Sequence, residues 1–231
     1  MDSLIPSTLW LGLLLGMTHA LDPDHVVAVG TLAAESQSLR RSLWLGVAWG
    51  IGHTLMLAIV GSLLLSFKWT IPPILATSFE MLVALMIITL GVMLISRTRQ
   101  PLVLHAHVHT HETFSHSHVH IHARGESGRH DHHWGTSCRK ALAVGMVHGL
   151  AGSAALSVAI MATLPSLQAG LLYIFVFGIG TLFGMMVMSL MVTCPFLWVA
   201  RYTPHWQRHL KVCTGVMAMA FGGTFIWELL S

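Results

Sequence analysis

The sequence predicts an all-α integral membrane protein with six transmembrane helices, arranged as two copies of a three-helix unit. Its 231 residues are 54% hydrophobic and only 9% charged, whereas about a quarter of the residues of a soluble domain are charged. Each of six apolar stretches is long enough to cross about 30 Å of hydrocarbon at 1.5 Å per helical residue. The predicted spans cover residues 5–35, 43–66, 73–96, 139–163, 168–200 and 209–230.

The first span contains a cluster of ionisable residues, namely His19, Asp22, Asp24 and His25. Ionisable groups at membrane depth cost a few kcal/mol each, so the cluster predicts a functional site. Pro23 has no N–H to bond the carbonyl of His19, and we therefore expect the helix to break near Pro23. Two imidazoles with one or two carboxylates suit a divalent transition metal such as Ni²⁺ or Co²⁺ better than an alkali cation.

An internal repeat relates the two halves of the chain. The motif at 16–21 (Gly-Met-Thr-His-Ala-Leu) returns at 145–150 (Gly-Met-Val-His-Gly-Leu), and Gly-Ile-Gly at 50–52 returns at 178–180. Three spans per copy is an odd number, so the second copy enters the membrane from the opposite face, which predicts a 3+3 inverted repeat. We expect one repeat at 1–99, a loop at 100–138 and the second repeat at 139–231.

Two further histidines are candidate metal ligands because they lie in the repeated motifs. His53 belongs to the second span, and His148 takes the position in the fourth span that His19 takes in the first. Glu80 in the third span is a weaker candidate. The second half keeps the histidine but has neither carboxylate, and this asymmetry favours a single divalent-ion site rather than two.

The segment between the halves is rich in histidine. Its eleven histidines are His105, His107, His109, His111, His116, His118, His120, His122, His130, His132 and His133. Their alternation suits either a short strand or a disordered tether. Because neutral imidazole is the commonest nitrogen ligand for transition metals, we expect a secondary, metal-collecting segment.

The charges predict the orientation of the chain. All twelve basic residues except Lys68 fall in segments that lie on one face of the six-span arrangement. By the positive-inside rule this face is cytoplasmic, with both termini outside and the histidine-rich segment inside. The positive charges therefore set topology and indicate no nucleic-acid partner. The three widely spaced cysteines form no metal-binding pattern.

The motif His19-x4-Asp24-His25, together with Gly52-His53-Thr54, resembles the first two signature motifs of the nickel/cobalt transporter family. The resemblance covers about residues 12–60 and implies that His19, Asp24 and His25 recognise the metal, that Asp22 belongs to the same motif and that His53 supports them. The second half, with His148, resembles the short branch of urease and hydrogenase accessory membrane proteins. The histidine-rich segment also resembles that of nickel/cobalt efflux proteins.

The resemblance and the residues together predict a secondary transporter of Ni²⁺, with Co²⁺ as a second candidate, in a bacterial inner membrane. Import is favoured over export, the metal is substrate rather than cofactor, and a urease or hydrogenase maturation system is the expected partner. An efflux protein and a metal-binding accessory protein without flux are the alternatives. A membrane metalloenzyme of the desaturase type needs about eight ligating histidines in fixed boxes, whereas only four histidines are intramembrane, so we expect no enzyme.

Overall fold

The computed structural model of the chain describes residues 4–36, 38–67, 71–98, 102–111, 114–123, 133–151 and 166–231. The helices are α1 (Leu4–His19), α2 (Pro23–Ala33), α3 (Leu39–Phe67), α4 (Pro73–Thr98), α5 (His133–Gly149), α6 (Leu167–Tyr202) and α7 (Gln207–Leu230). A 3-10 turn, Pro204–Trp206, precedes α7. Two strands, β1 (Leu102–His111) and β2 (Phe114–Ala123), lie between α4 and α5. The membrane body is therefore helical, and the strands lie outside it in the histidine-rich segment.

Within the described residues, four helical segments are long and apolar enough to cross a membrane: Leu39–Phe67, Pro73–Thr98, Leu167–Tyr202 and Pro204–Leu230. A shorter apolar helix covers Leu9–His19. The chain is thus a multi-pass membrane protein. The predicted fourth span begins within α5, and its part at 152–163 lies outside the described residues.

The first predicted span is broken near Pro23, as expected. α1 ends at His19, and α2 begins at Pro23 with Asp22 at its N-cap. The fifth predicted span is longer than one crossing needs and forms one continuous 36-residue helix with Pro195 inside it. Such a helix is about 54 Å long and exceeds the hydrocarbon thickness.

The main helix contacts join the first half of the chain to the second. α3 packs on both α5 and α6, α1 packs on α6, and α4 packs on α7. α1 and α6 are parallel, since Gly12 lies against Tyr173 and Gly16 against Phe177. α3 and α6 are antiparallel, since Gly46 lies against Met185 and Gly50 against Leu182. Small residues at these contacts let the helix backbones approach closely.

The glycine contacts repeat between the halves with the spacing of the sequence repeat. A Cβ on Gly16 would collide with the carbonyl oxygen of Phe177, and a Cβ on Gly145 would collide with that of Trp49. Gly16 and Gly145 are equivalent positions of the repeat, and so are Trp49 and Phe177. The same interface is therefore formed twice, once between α1 and α6 and once between α5 and α3.

Buried hydroxyl groups join α3 to α6 near the start of α3. Ser42 Oγ lies 3.0 Å from Ser189 Oγ and 2.5 Å from Thr193 Oγ1, and all three residues are buried. At the same end of the molecule, the guanidinium of Arg41 donates a 2.7 Å hydrogen bond to Ser137 in α5. These bonds place the start of α3, the start of α5 and the second half of α6 together.

The strands form an antiparallel hairpin whose register places histidines opposite one another. The directly opposed pairs are His105 with His120, His107 with His118, and His109 with His116. Opposed residues of an antiparallel pair share a face, and residues two apart along a strand share it too. The three pairs therefore lie on the same face of the hairpin.

Candidate metal site

The helices bring together all four intramembrane histidines singled out in the sequence: His19, His25, His53 and His148, here called the histidine cluster. The ring of His25 lies 4.7 Å from that of His19 and 4.8 Å from that of His148, between centroids, and the ring of His53 lies 5.0 Å from that of His19. Three of the four are fully buried, and His19 is 8% exposed. The break between α1 and α2 makes this possible, because it lets His19 and His25 face one point from two separate helices.

Carboxylates orient two rings of the cluster. His19 Nδ1 lies 2.8 Å from Asp22 Oδ2, and His25 Nδ1 lies 3.0 Å from Asp24 Oδ1. A carboxylate only accepts hydrogen bonds, so each Nδ1–H donates and the Nε2 of each neutral ring keeps its lone pair. This carboxylate–histidine pairing is the usual support of a metal-binding imidazole. Both Nε2 atoms are therefore prepared to act as ligands.

His148 is oriented by the backbone instead. Its Nδ1 donates to the carbonyl oxygen of Val144 at 3.2 Å, which leaves the lone pair on Nε2. That Nε2 lies 3.8 Å from Asp24 Oδ2. Two hydrogen-bond acceptors thus face each other in the protein interior, an arrangement that a cation between them would stabilise.

Several buried ring nitrogens have no hydrogen-bond partner in the described part of the chain. They are Nε2 of His25, Nδ1 of His53 and Nε2 of His148. An unpaired buried polar atom costs about 1–3 kcal/mol. Because a metal ion would satisfy ring lone pairs at once, the clustering of these atoms indicates a binding site.

The spacing of His19 and His53 also fits a shared metal ion. Their Nε2 atoms lie 3.2 Å apart. Two nitrogens at metal–imidazole distances of about 2.1 Å and with this separation subtend roughly 100° at the metal, which is between octahedral and tetrahedral angles. The pair therefore has the geometry of two ligands of one ion.

The two carboxylates take different positions. The side chain of Asp24 is 18% exposed and touches His25, with its second oxygen toward His148. The side chain of Asp22 is 40% exposed and contacts His19 on the Nδ1 side, away from the Nε2 that faces His53. Asp24 is thus a candidate ligand together with His25 and His148, whereas Asp22 contacts only the Nδ1 side of His19.

Two aromatic residues flank the cluster, and the sequence reasoning missed both. Trp49 stacks on His25 with 6.0 Å between centroids, and Phe177 lies 5.6 Å from His19. Each directly precedes a Gly-Ile-Gly motif, at 50–52 and at 178–180. An aromatic residue directly before each copy of the Gly-Ile-Gly motif is the sequence signal that would have identified them. The two rings add apolar surface beside the cluster.

Other candidates lie apart from the cluster. Among the described residues, the groups with metal-binding geometry are His19, His25 and His53, and Asp24, His25 and His148. Glu80 in α4 belongs to neither group. In the histidine-rich segment, His130 and His132 lie outside the described residues, and His133 is the first residue of α5.

A comparison with curated proteins found a close relative. The chain is 36% identical over 230 residues to the urease accessory protein UreH of Bacillus sp. (strain TB-90), and the match covers 96% of this chain and 92% of the relative. No family model and no solved structure matches the chain. The relative is an accessory protein rather than an enzyme, in agreement with the expectation from the sequence. The chain therefore belongs to the family of the urease accessory protein UreH, within the nickel/cobalt transporter type that its histidine motifs resemble.

Proposed function

We propose that the chain is a secondary carrier that moves Ni²⁺ across the membrane through the histidine cluster and Asp24, with Co²⁺ as a second candidate substrate. The ion loses water on entry and binds buried imidazole nitrogens and the Asp24 carboxylate. Alternating access then exposes it to the two faces in turn. The sequence contains no Walker motif, so the energy comes from the membrane potential, a proton gradient or a partner subunit.

The observation that carries this proposal is the unpaired Nε2 of His148, which lies 3.8 Å from the carboxylate oxygen Oδ2 of Asp24 and near the unpaired Nε2 of His25. A donor set of imidazoles with one carboxylate suits a borderline divalent ion. Buried groups of this kind at membrane depth are typical of a substrate pathway. The urease accessory function named for the relative supports nickel as the metal.

The proposal includes a 3+3 inverted repeat with six membrane crossings. The equivalent glycine contacts Gly16–Phe177 and Gly145–Trp49 support it, because they are the same interface formed by both halves. The parallel packing of α1 with α6 and the antiparallel packing of α3 with α6 agree with halves of opposite orientation. In this arrangement the basic segments and the hairpin lie on the cytoplasmic side and both termini lie outside.

We assign the hairpin a metal-collecting role on the cytoplasmic side. The strand register opposes histidine to histidine, as at His107 and His118, and directly opposed residues of an antiparallel pair are close enough to share a ligand. In an importer the hairpin receives arriving metal. In an exporter, which is the alternative direction, it gathers metal for expulsion. Its physiological partner in the import case is a urease or hydrogenase maturation system.

The second candidate function is a metal-binding accessory protein without flux of its own. The name of the relative, an accessory protein, is the observation that favours it. Purified protein in liposomes separates the two: a carrier accumulates Ni²⁺ in the lumen, whereas an accessory protein binds Ni²⁺ and moves none.

Radioactive nickel in whole cells tests the carrier and its direction. We expect cells with the wild-type protein to accumulate more ⁶³Ni than cells without it, since import is favoured; depletion means export. His19→Ala should abolish flux because it removes a ligand, while deletion of residues 105–133 should only weaken it. His205→Ala is the matched control, because His205 is exposed and outside the cluster. Full flux in His19→Ala with none in the deletion would overturn the site assignment.

A further inference from the structure

The histidine cluster contains two overlapping sets of ligands. One set consists of His19, His25 and His53, and the other of Asp24, His25 and His148. Within each set, one candidate ligand atom per residue lies within 4.8 Å of the others. His25 is the member common to both.

His25 is placed to serve both sets. The centroid of its ring lies 4.7 Å from that of His19, 4.8 Å from that of His148 and 5.4 Å from that of His53. The ring is fully buried, and the carboxylate of Asp24 fixes its Nδ1. Its Nε2 has no hydrogen-bond partner in the described part of the chain, so its lone pair is available to an ion held by either set.

The two sets differ in charge and in origin. The first set is neutral and comes entirely from the first half of the chain, through α1, α2 and α3. The second set includes the Asp24 carboxylate and needs His148 from the second half. Movement of one half relative to the other therefore changes the distances within the second set. The distances within the first set need not change, because all its members belong to one half.

We propose that one ion occupies two overlapping positions, a three-imidazole position with His19 and His53 and a carboxylate position with Asp24 and His148, and passes between them while His25 stays bound. This rests on the proposed carrier function and adds its internal step. Because His25 stays bound, the ion is never without a protein ligand while it changes position. Two weaker positions also release an ion more readily than one strong position.

Equilibrium binding of Ni²⁺ to the purified full-length protein tests this proposal. The histidines at 105–133 are replaced by asparagine throughout, so that only interior binding is measured. The variants are His53→Gln, His148→Gln and the double variant, with His205→Gln as the control. Glutamine keeps a polar side chain of similar size, and monodisperse elution on size exclusion verifies the fold of each variant.

If two positions exist, the measured association constant is the sum of two constants. The larger of the two is at least half of that sum, so at least one single variant must keep its affinity within about twofold of the parent. The double variant disables both positions, and we expect it to bind more than about tenfold more weakly.

Two results would overturn the proposal. In the first, both single variants bind clearly more than twofold more weakly, as one position with all four histidines requires. In the second, the double variant binds about as well as the parent. Flux measured in parallel separates this question from the carrier function: binding that follows the two-position rule without transport would defeat the carrier function and leave the two positions standing.

Discussion

Asp22 and Asp24 lie two positions apart in the sequence, yet their carboxylates contact the histidine cluster differently. Asp24 combines a hydrogen bond to His25 with an oxygen directed at His148, so its charge lies within the cluster. Asp22 contacts His19 from the more exposed side. A regular helix would have placed Asp22 on the same face as both histidines and Asp24 on the other. The break at Pro23 instead places Asp24 closer to His148 and leaves Asp22 on the more exposed side.

Replacement of Asp22 should therefore act through His19. We expect Asp22→Ala to weaken Ni²⁺ binding by about 10- to 100-fold, the usual effect of removing a hydrogen-bond partner of a metal ligand. Asp22→Asn should keep most of the affinity, since an amide oxygen still accepts from His19 Nδ1. Equilibrium dialysis measures both, with Glu80→Gln as the control carboxylate. An Asn variant as weak as the Ala variant would mean that Asp22 binds the metal directly.

Two signals in the sequence, polarity within an apolar span and internal repetition, identified the histidines of the cluster. His19 and His25 stand out as polar groups in an apolar span, and His53 and His148 stand out through the repeated motifs. The sequence could not separate the roles of the carboxylates, since these depend on where the chain leaves the helix. Trp49 was missed because an aromatic residue in an apolar helix is ordinarily packing.

Among the helices, the interface formed by Gly145 depends on the absence of a side chain. Its missing Cβ makes room for the backbone oxygen and ring of Trp49. A backbone oxygen cannot rotate away as a flexible side chain can. The contact also holds α5 against α3, and with it the approach of His148 to His25.

Gly145→Ala should consequently destabilise the protein. We expect a loss of about 1–3 kcal/mol, the usual cost of overpacking, seen as a lower midpoint of thermal unfolding in detergent. Gly223→Ala is the matched control, because a Cβ there meets nothing within 4 Å. Equal midpoints for the two variants would show that the α3–α5 contact tolerates a methyl group.

The hairpin is the element whose structure the sequence left open between strand and tether. Alternating histidines fit strands, because successive residues of a strand point to opposite faces. Alternation alone does not give the register, which depends on where the chain turns. The observed register opposes histidine to histidine at three levels.

A double-mutant cycle tests whether opposed histidines bind metal as pairs. His107→Ala and His118→Ala should each lower hairpin affinity for Ni²⁺ as much as the double variant does, because either change breaks the same pair. The control combines His105→Ala with His116→Ala, which belong to different pairs, and here the losses should add. Isothermal titration of the full-length protein gives the affinities. Additive losses for His107 and His118 would indicate independent imidazoles on a tether.

For the molecule as a whole, the helical class and the break in the first span were predictable from hydropathy and one proline. The partners of each helix were not. Apolar pattern shows that a helix enters the membrane but not which helix it meets, since lipid and protein offer similar apolar surroundings. Only the repeat indicated that the two halves are related. In the structure, helices of one half pack on helices of the other: α1 on α6, α3 on α5 and α6, and α4 on α7.

Because helices of the first half pack mainly on helices of the second half, the order of synthesis delays these contacts. The ribosome delivers α1 to α4 first, and their main partners α5 to α7 follow only after the hairpin segment. At the usual speed of translation, the early helices wait on the order of ten seconds before those partners arrive. During this time their glycine-lined faces, at Gly16 and Gly52, lack the helices that later cover them. The last member of the histidine cluster, His148, arrives with α5, so the cluster is completed late in synthesis.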